Sequence, residues 1–378
     1  MGRKQNREQN RDQRKSRRYF DYGLLFIVFF LIAFGLVMLY STSSYNGQVK
    51  FNDPAYYLKK QITATGLGII GMFIVSRIDY RIWKKLWLLA YIGAFGLCLL
   101  VLFVGEEIKG AKRWLQLGPF SVQPSEIAKL AMIVFLASII SEMPRKMAKF
   151  SSLIKIIAIA IPMAGIVAVE NLSTAIIILG IAIALAFVAS PKVWHFFAIG
   201  IVAVIFVVIF IFFTGDSYRA ERIDIWLNPE AYEKGYQTLQ GLYAIGSGGL
   251  FGKGLGSSMQ KLGFVPEAQN DMIFSIICEE LGLFGAVSVI LLFVMLMWRL
   301  MVIANNAQDL YGALLATGVL AHIAIQVILN IAVVTNTMPN TGISLPFISY
   351  GGTSVLFLLA EIGLVLSVSR GIRLEQEE

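Results

Sequence analysis

The chain has 378 residues, of which 57% are hydrophobic and 15% charged, with a formal net charge of +8. Soluble globular proteins carry roughly 45–50% apolar and about 25% charged residues, so this composition excludes an ordinary soluble domain. The apolar runs Gly23–Tyr40, Leu86–Val104 and Phe196–Phe213 come close to the about 20 residues that a membrane-crossing helix needs. We therefore predict an all-α polytopic membrane protein.

The N-terminal residues 1–18 contain eight Lys and Arg residues and no apolar run. The apolar segment behind them is long and has no small-residue cleavage site, so we expect an uncleaved first helix behind a basic, disordered cytoplasmic tail. A basic tail beside lipid attracts anionic headgroups and keeps that end inside. The positive charge thus indicates topology rather than a nucleic-acid partner.

Apolar segments predict ten transmembrane helices. Their approximate bounds are 21–42, 61–78, 86–105, 126–142, 153–169, 172–190, 195–213, 272–302, 312–334 and 353–370. Lys and Arg are concentrated in the segments that place both termini in the cytoplasm, which agrees with an even number of helices. The transmembrane domain then spans 19–373, with a cytoplasmic tail at 374–378. The eighth segment is too long for a simple span and should begin above the membrane surface.

Three segments fall on the extracellular side. Glu106–Ser125 is the first, and the second is the large loop Thr214–Asn270 between helices seven and eight. That loop is glycine-rich, aromatic and lightly charged, which favours an ordered functional loop over a disordered one. The third, Asn336–Gly352, is uncharged and rich in breakers, and is expected to form a short re-entrant element.

Few residues in the apolar part carry chemistry. The chain has two cysteines, Cys98 and Cys278, and two histidines, His195 and His322. Neither a disulfide framework nor a zinc cluster can be built from these four residues. Glu280 and Glu361 lie deep in predicted helices and should be packed or paired, since a charge inside the membrane is costly.

Glu126 and Lys129 lie three residues apart at the start of the fourth span, on one face of the helix. The simpler interpretation is a structural ion pair that neutralises both charges. The alternative is that the pair positions a neighbouring helix that lines a site.

Asp271 directly follows the large loop. If Pro266 starts the helix, Asp271 lies in its second turn near the outer surface, with Ser275 and Glu279 on roughly the same side. Partial desolvation there suits an acid to general-base work. The alternative is an acid that interacts with the helix dipole.

Lys112, Arg113, Arg219 and Arg222 place positive charge on the outer side, against the topological trend. Any one of these residues, taken alone, is best explained as an ordinary solvated charge in a loop. As a set beside a membrane-level acid they indicate an anionic lipid headgroup, because arginine suits phosphate.

From about Phe20 to Arg373 the chain resembles the SEDS family (shape, elongation, division and sporulation), whose members include FtsW, RodA and SpoVE. The resemblance rests on GAKRWLQLGPFSVQPSEIAK at 110–129, ENLSTA at 170–175, GYQTLQGLYAIGSGGLFGKGLGSSMQK at 235–261, FVPEAQNDMIFSIICEELGLFG at 264–285 and PNTGISLPFISYGGTS at 339–354. The segments GSSMQK and LGPFSVQPSE resemble FtsW and SpoVE more than RodA.

The resemblance implies a peptidoglycan glycosyltransferase that polymerises lipid II on the outer face of the bacterial cytoplasmic membrane. The family's catalytic aspartate falls on Asp271, which would act as general base. The cations at 112, 113, 219 and 222 would meet the pyrophosphate, and Gln269, Ser349 and Tyr350 are weaker substrate-binding candidates within the family-like stretches. No organic cofactor is implied, and a divalent cation, Mg²⁺ or Mn²⁺, would assist the leaving group.

The resemblance also implies partners: lipid II, the growing undecaprenyl-pyrophosphate-linked glycan, a class B penicillin-binding protein and other division or elongation proteins. The sequence departs from the family at Gln269-Asn270-Asp271-Met272, where His-Thr or Gln-Thr usually precedes the acid and Phe follows it, and at Glu170-Asn171, where Pro-Asp is common. No role is therefore assigned to the usual Thr, His or second Asp.

Two rival functions stay open. A lipid II flippase would use the same basic, acid-bearing cavity and the same lipid, and the second rival is a non-catalytic scaffold for the division machinery. An acid at the outer surface favours the enzyme, since a translocation path would place key charges near the midplane.

Overall fold

The computed structural model describes residues 20–108, 111–117, 120–197, 200 and 224–372. The main α-helices of this part are α1 (Tyr22–Phe51), α2 (Tyr56–Arg77), α3 (Arg81–Val104), α4 (Pro124–Glu142), α5 (Phe150–Ala168), α6 (Leu172–Ala189), α7 (Tyr236–Ser247), α8 (Ile273–Asn305), α9 (Leu310–Val334) and α10 (Gly352–Ser369). Nine of these described helices, all but the short α7, are long and apolar enough to cross a membrane. The polytopic helical fold class is confirmed.

The nine helices correspond to nine of the ten predicted spans. The other predicted span, 195–213, lies almost wholly outside the described residues. So do the basic tail 1–18 and the tail 374–378, and the predictions for these parts stay predictions.

Side-chain caps fix several helix starts. Asp21, Asn171 and Asp309 accept hydrogen bonds from the backbone N–H groups of the first turns of α1, α6 and α9, which have no partner within the helix. Asp21 is also paired with Arg299 of α8, whose Nη2 lies 2.6 Å from Oδ1. The same carboxylate therefore starts α1 and ties it to α8.

The centre of the bundle is α9, which packs against α4, α6, α8 and α10. Glycines permit close packing, as is usual between membrane helices. A Cβ on Gly318 would lie 2.6 Å from Ile133 of α4, and one on Gly363 of α10 would lie 2.5 Å from the Met72 carbonyl oxygen of α2. Because it packs against four other helices, α9 places its residues where several helices meet.

A small antiparallel sheet follows α3, and the sequence pattern did not predict it. Its strands are β1 (Glu106–Ile108), β2 (Ala111–Leu117) and β3 (Phe120–Val122), in the order β1-β2-β3. Glu107 of β1 lies opposite Lys112 of β2, so a negative residue is paired with a positive one across the two strands. The sheet carries Lys112 and Arg113 on its middle strand.

The long helix α8 is broken at Gly282, whose φ of 65° and ψ of −164° are not helical. The loop before it fills the break: Lys253 and Gly254 donate backbone N–H bonds to the carbonyl oxygens of Glu279 and Glu280, each at 2.9 Å. Backbone groups freed by the break thereby find partners, as buried polar groups require. The described part of the loop is ordered against α8.

Candidate active site

Asp271 lies two residues before α8, and 9% of its surface is exposed. Gln237 of α7 faces its carboxylate, with Nε2 3.4 Å from Oδ1 and 3.3 Å from Oδ2. On another side, a Cβ added to Gly342 would lie 3.8 Å from Oδ2. Gly342 has a φ of 68°, which favours glycine there. The acid lies between α7 and the segment 336–351, at one end of the helix bundle.

The helix after the acid begins later than predicted. Pro266 does not start it: α8 begins at Ile273, and the preceding residues form turns. Glu267 has a φ of 56°, in the left-handed region, which a right-handed helix cannot contain. Asp271 therefore lies on the approach to α8 and not in its second turn. Contacts from distant segments, rather than helical hydrogen bonds, hold its backbone.

Three of the weaker candidates lie next to the acid. The Ser349 hydroxyl donates to the Asn270 carbonyl oxygen at 2.6 Å, and the Tyr350 N–H donates to the Gln269 carbonyl oxygen at 2.9 Å. The Gln269 side-chain oxygen accepts from Asn46 Nδ2 at 3.2 Å. Gln269 and Ser349 are both buried. Their polar groups hold the chain around the acid, which favours positioning over direct substrate contact.

Tyr350 is partly accessible, and its ring meets the ring of Tyr57 edge-on, with centroids 5.1 Å apart. Burial, helped by the neighbouring Tyr56 and Tyr57, raises the pKa of Tyr350 to about 12. Like an ordinary tyrosine, it keeps its hydroxyl protonated at physiological pH, and the raised pKa extends this neutral hydrogen-bond donor to more alkaline pH.

Lys112 and Arg113 lie beside the turn between α5 and α6. The Lys112 N–H donates to Glu170 Oε2 at 2.9 Å, and Arg113 Nε donates to the Glu170 carbonyl oxygen at 2.6 Å. These residues line a cleft with Ser125 and Asn171. The Ser173 hydroxyl, in the first turn of α6, donates to the Thr341 carbonyl oxygen at 2.8 Å, which joins this region to the segment beside Asp271.

Arg219 and Arg222 lie outside the described residues. Their predicted part in phosphate binding stays a prediction.

Glu126 and Lys129 meet in the first turns of α4. Lys129 Nζ lies 3.0 Å from Glu126 Oε1. The Lys129 side chain is only 2% exposed and the Glu126 side chain 8% exposed. Lys129 also lies 3.4 Å from the side-chain oxygen of Gln326 on α9. The pair that the spacing predicts is present and reaches across to α9.

Glu280 and Glu361 are both paired, one of the two outcomes that the prediction of packed or paired residues allowed. Glu280 accepts from Lys261 and from the Ser41 hydroxyl, and Glu361 Oε2 lies 2.8 Å from His322 Nδ1. The spacing of the sequence did not reveal these partners, because they come from other segments.

Two residues around the acid were missed by sequence reasoning: Gln237 on α7 and Asn330 on α9. Asn330 donates to the Asp271 carbonyl oxygen at 2.8 Å. A signal was available, because His322, Gln326 and Asn330 recur every four residues in an otherwise apolar helix. Within the described ranges, no three His, Cys, Asp or Glu side chains come together as a metal site.

The fold and the site define a class: an integral membrane protein of many helices with a buried acid at one end of the helix bundle. The family model described as "Cell cycle protein", FTSW_RODA_SPOVE, matches residues 22–374. The chain belongs to this family, and the predicted SEDS membership is confirmed.

Curated relatives agree over nearly the whole length. Stage V sporulation protein E of Bacillus subtilis is 40% identical over 93% of this chain and 97% of its own. The probable peptidoglycan glycosyltransferase FtsW of Trichlorobacter lovleyi is 37% identical over 94% of each. These identities support the predicted leaning towards FtsW and SpoVE.

Two solved structures share the fold. One is described as "Structural coordination of polymerization and crosslinking by a peptidoglycan synthase complex"; its chain has a TM-score of 0.79 and 30% identity and covers 93% of this chain and 98% of its own. The other is the rod shape determining protein RodA of Thermus thermophilus, with a TM-score of 0.70, 29% identity, and coverage of 94% and 98%.

Proposed function

We propose that this chain is a peptidoglycan glycosyltransferase that polymerises lipid II on the outer face of the cytoplasmic membrane. The observation that carries the proposal is Asp271, a buried acid at one end of the bundle in a chain of this family. Several relatives of 35–37% identity are named as probable peptidoglycan glycosyltransferases, which supports the same activity here.

Asp271 acts as the general base in the proposed reaction. Its carboxylate takes the proton of the GlcNAc 4-hydroxyl of one substrate, and that oxygen forms a bond to the anomeric carbon of the growing chain. The bond from that carbon to the pyrophosphate oxygen breaks, and undecaprenyl pyrophosphate leaves with inversion. Gln237 faces the carboxylate and can keep it oriented towards the hydroxyl.

Positive charge meets the leaving group in this proposal. Lys112 and Arg113 line the cleft beside α6, and Arg219 and Arg222 belong to the same proposed set. A fixed cation lowers the energy of a developing negative charge. Mg²⁺ or Mn²⁺ would add further charge neutralisation. Such an ion is commonly held by one or two carboxylates together with substrate phosphates, a mode that needs no group of three protein ligands.

The proposed partner is a class B penicillin-binding protein. The solved complex of similar fold is described as coordinating polymerisation with crosslinking. A polymerase of this kind supplies the glycan strands that a transpeptidase joins. Other division or elongation proteins complete the proposed assembly.

The test is a polymerisation assay with labelled lipid II, using the purified full chain together with its transpeptidase partner. The parent should form long glycan strands, and Asp271→Ala should form none. Parent-level polymerisation by Asp271→Ala would overturn the proposal. A flippase would instead move lipid II across liposomes without polymerising it, and a scaffold would let Asp271→Ala support growth of a deletion strain.

A further inference from the structure

One face of α9 is polar although it lies inside the bundle. His322, Gln326 and Asn330 occupy every fourth position of the helix and are 1%, 2% and 0% exposed. Burying such groups costs free energy unless each finds hydrogen-bond partners. Their partners therefore indicate what the polar face holds in place.

Asn330 joins the two segments that form the site. Its single amide nitrogen donates to the carbonyl oxygens of Asp271 at 2.8 Å and Ile343 at 2.7 Å. Ile343 follows Gly342, the residue whose backbone approaches the Asp271 carboxylate. One side chain thus fixes the separation between the acid and the segment on its other side.

Gln326 holds the next residue of that segment. Its Nε2 donates to the Ser344 carbonyl oxygen at 3.0 Å, while its Oε1 faces Lys129 Nζ and His322 Nε2. The reverse orientation of the amide would set its NH₂ group against the Lys129 ammonium. The amide is therefore oriented so that it can donate to Ser344.

His322 supports that orientation. An amide oxygen only accepts, so His322 Nε2 must carry a hydrogen in its 2.9 Å bond to Gln326. Its other nitrogen, Nδ1, forms a hydrogen bond with Glu361 Oε2 at 2.8 Å. A chain of hydrogen bonds consequently runs from Glu361 on α10 along α9 to the segment beside the acid.

We propose that the polar face of α9 positions Asp271 for catalysis. Asn330 is a positioning residue that acts on the backbone of the acid, and Gln326 and His322 act through residues 342–344. The inference rests on the proposed glycosyltransferase function. Misplacing a reacting group by about 1 Å can cost about 100-fold in rate, so small losses of support at this site are measurable.

The test compares Asn330→Leu with Thr317→Val in the purified full chain with its partner. Leucine has the same branching and the same number of side-chain heavy atoms as asparagine, and it removes both donated bonds. Thr317 is the matched control: it lies on the same helix, and its hydroxyl donates to Ala313 within that helix. We expect Asn330→Leu to lower kcat for labelled lipid II by about 100-fold with KM changed less than about threefold, and Thr317→Val to retain parent kcat.

A second variant covers the case in which Asn330→Leu does not fold. Gln326→Leu leaves both Asn330 bonds in place. It removes the bond to Ser344 together with the acceptor that faces Lys129 and His322, and should lower kcat by about tenfold, again with little change in KM. Thermal unfolding of each variant is measured in parallel. Rates that simply follow the folded fraction, or a rise in KM at constant kcat, would overturn the positioning role.

The two proposals fail in different ways. An inactive parent, or an active Asp271→Asn, would refute the glycosyltransferase function itself. An active parent and inactive Asp271→Asn, combined with parent kcat in folded Asn330→Leu or Gln326→Leu, would refute the positioning role alone.

Discussion

Lys261 and Glu280 form an ion pair inside the protein, with Lys261 Nζ 2.7 Å from Glu280 Oε1. The Ser41 hydroxyl of α1 donates to the same carboxylate at 2.7 and 2.8 Å. The pair therefore ties the loop before Asp271 to both α1 and α8. Glu279, the residue before Glu280, is paired with Lys253. The Lys253 side chain is much more exposed to solvent than the Lys261 side chain.

Lys261→Met should destabilise the protein strongly, because it leaves the Glu280 carboxylate buried without its cation. Removing one partner of a buried pair costs about 3–5 kcal/mol. Adding Glu280→Gln should recover most of the loss, since a neutral amide can still bond Ser41. Thermal unfolding in detergent measures both variants.

Lys253→Met is the matched control for that prediction. The Lys253 side chain is 36% exposed, and Glu279 keeps bonds from the Ser258 hydroxyl and from the N–H groups of Met259 and Gln260. We expect a loss of about 1 kcal/mol or less. Equal losses for Lys253→Met and Lys261→Met would contradict the distinction between the two pairs.

Gly252→Ala should disrupt the loop, whereas Gly256→Ala should not. Both glycines have left-handed φ values, 78° and 81°, so both alanines carry a conformational cost of about 1–2 kcal/mol. Only at Gly252 would the new Cβ meet backbone, 2.2 Å from the Glu280 carbonyl oxygen; at Gly256 the space is open. Folded yield on size exclusion and thermal unfolding should both separate the two variants, and equal behaviour would refute the packing of the loop on α8.

The pair His322 and Glu361 should show strong non-additivity. His322→Leu alone leaves a buried glutamate without its partner and should cost about 3–5 kcal/mol, whereas replacing both residues by leucine should be close to neutral. The double variant should still have a lower kcat than the parent, because it also lacks the bond from His322 Nε2 to the Gln326 side-chain oxygen. Additive losses of stability in thermal unfolding would show that the pair is not coupled.

Asp309 provides a pH-dependent prediction at the opposite end of the bundle. Burial opposes its ionisation, but bonds from the Gly312 N–H, Tyr80 and Arg81 prevail and lower its pKa below 3.8. Since the unfolded state binds more protons, the stability from the ionised carboxylate is present at neutral pH and lost as pH falls through the folded pKa.

Asp309→Asn should therefore lower the Tm at neutral pH. The gap between parent and variant should be constant above about pH 5 and narrow as the pH falls below that range. A gap that is independent of pH down to the acid limit of the folded protein would contradict the pairing. Arg81→Lys is a useful companion, since it retains the charge and removes the guanidinium bonds to Asp309 and Gln308.

The sequence was sufficient for the nine spans within the described residues, because a bilayer requires about 20 apolar residues and helices such as α1, α3 and α9 contain long apolar runs. It also indicated that Glu280 and Glu361 should be packed or paired inside the bundle. It could not name Lys261 or His322 as their partners, because those contacts depend on how separate helices and a loop pack together.

The site was predicted less completely. Asp271 was identified by resemblance, but Pro266 misled the prediction of the helix start, since proline is common in first turns. The left-handed Glu267 and the bonds from Ser349 and Tyr350 select a different backbone path. The sheet was missed because its strands are short and interrupted by charged residues.

The most direct measurement of the central claim uses Asp271→Asn, which keeps the shape of the side chain and removes its ability to take a proton. Strand formation from labelled lipid II is compared between parent and variant at equal folded concentration and equal partner content. Loss of general-base catalysis should lower kcat by at least about 100-fold with normal thermal unfolding. A folded Asp271→Asn that polymerises lipid II at the parent rate would contradict the account.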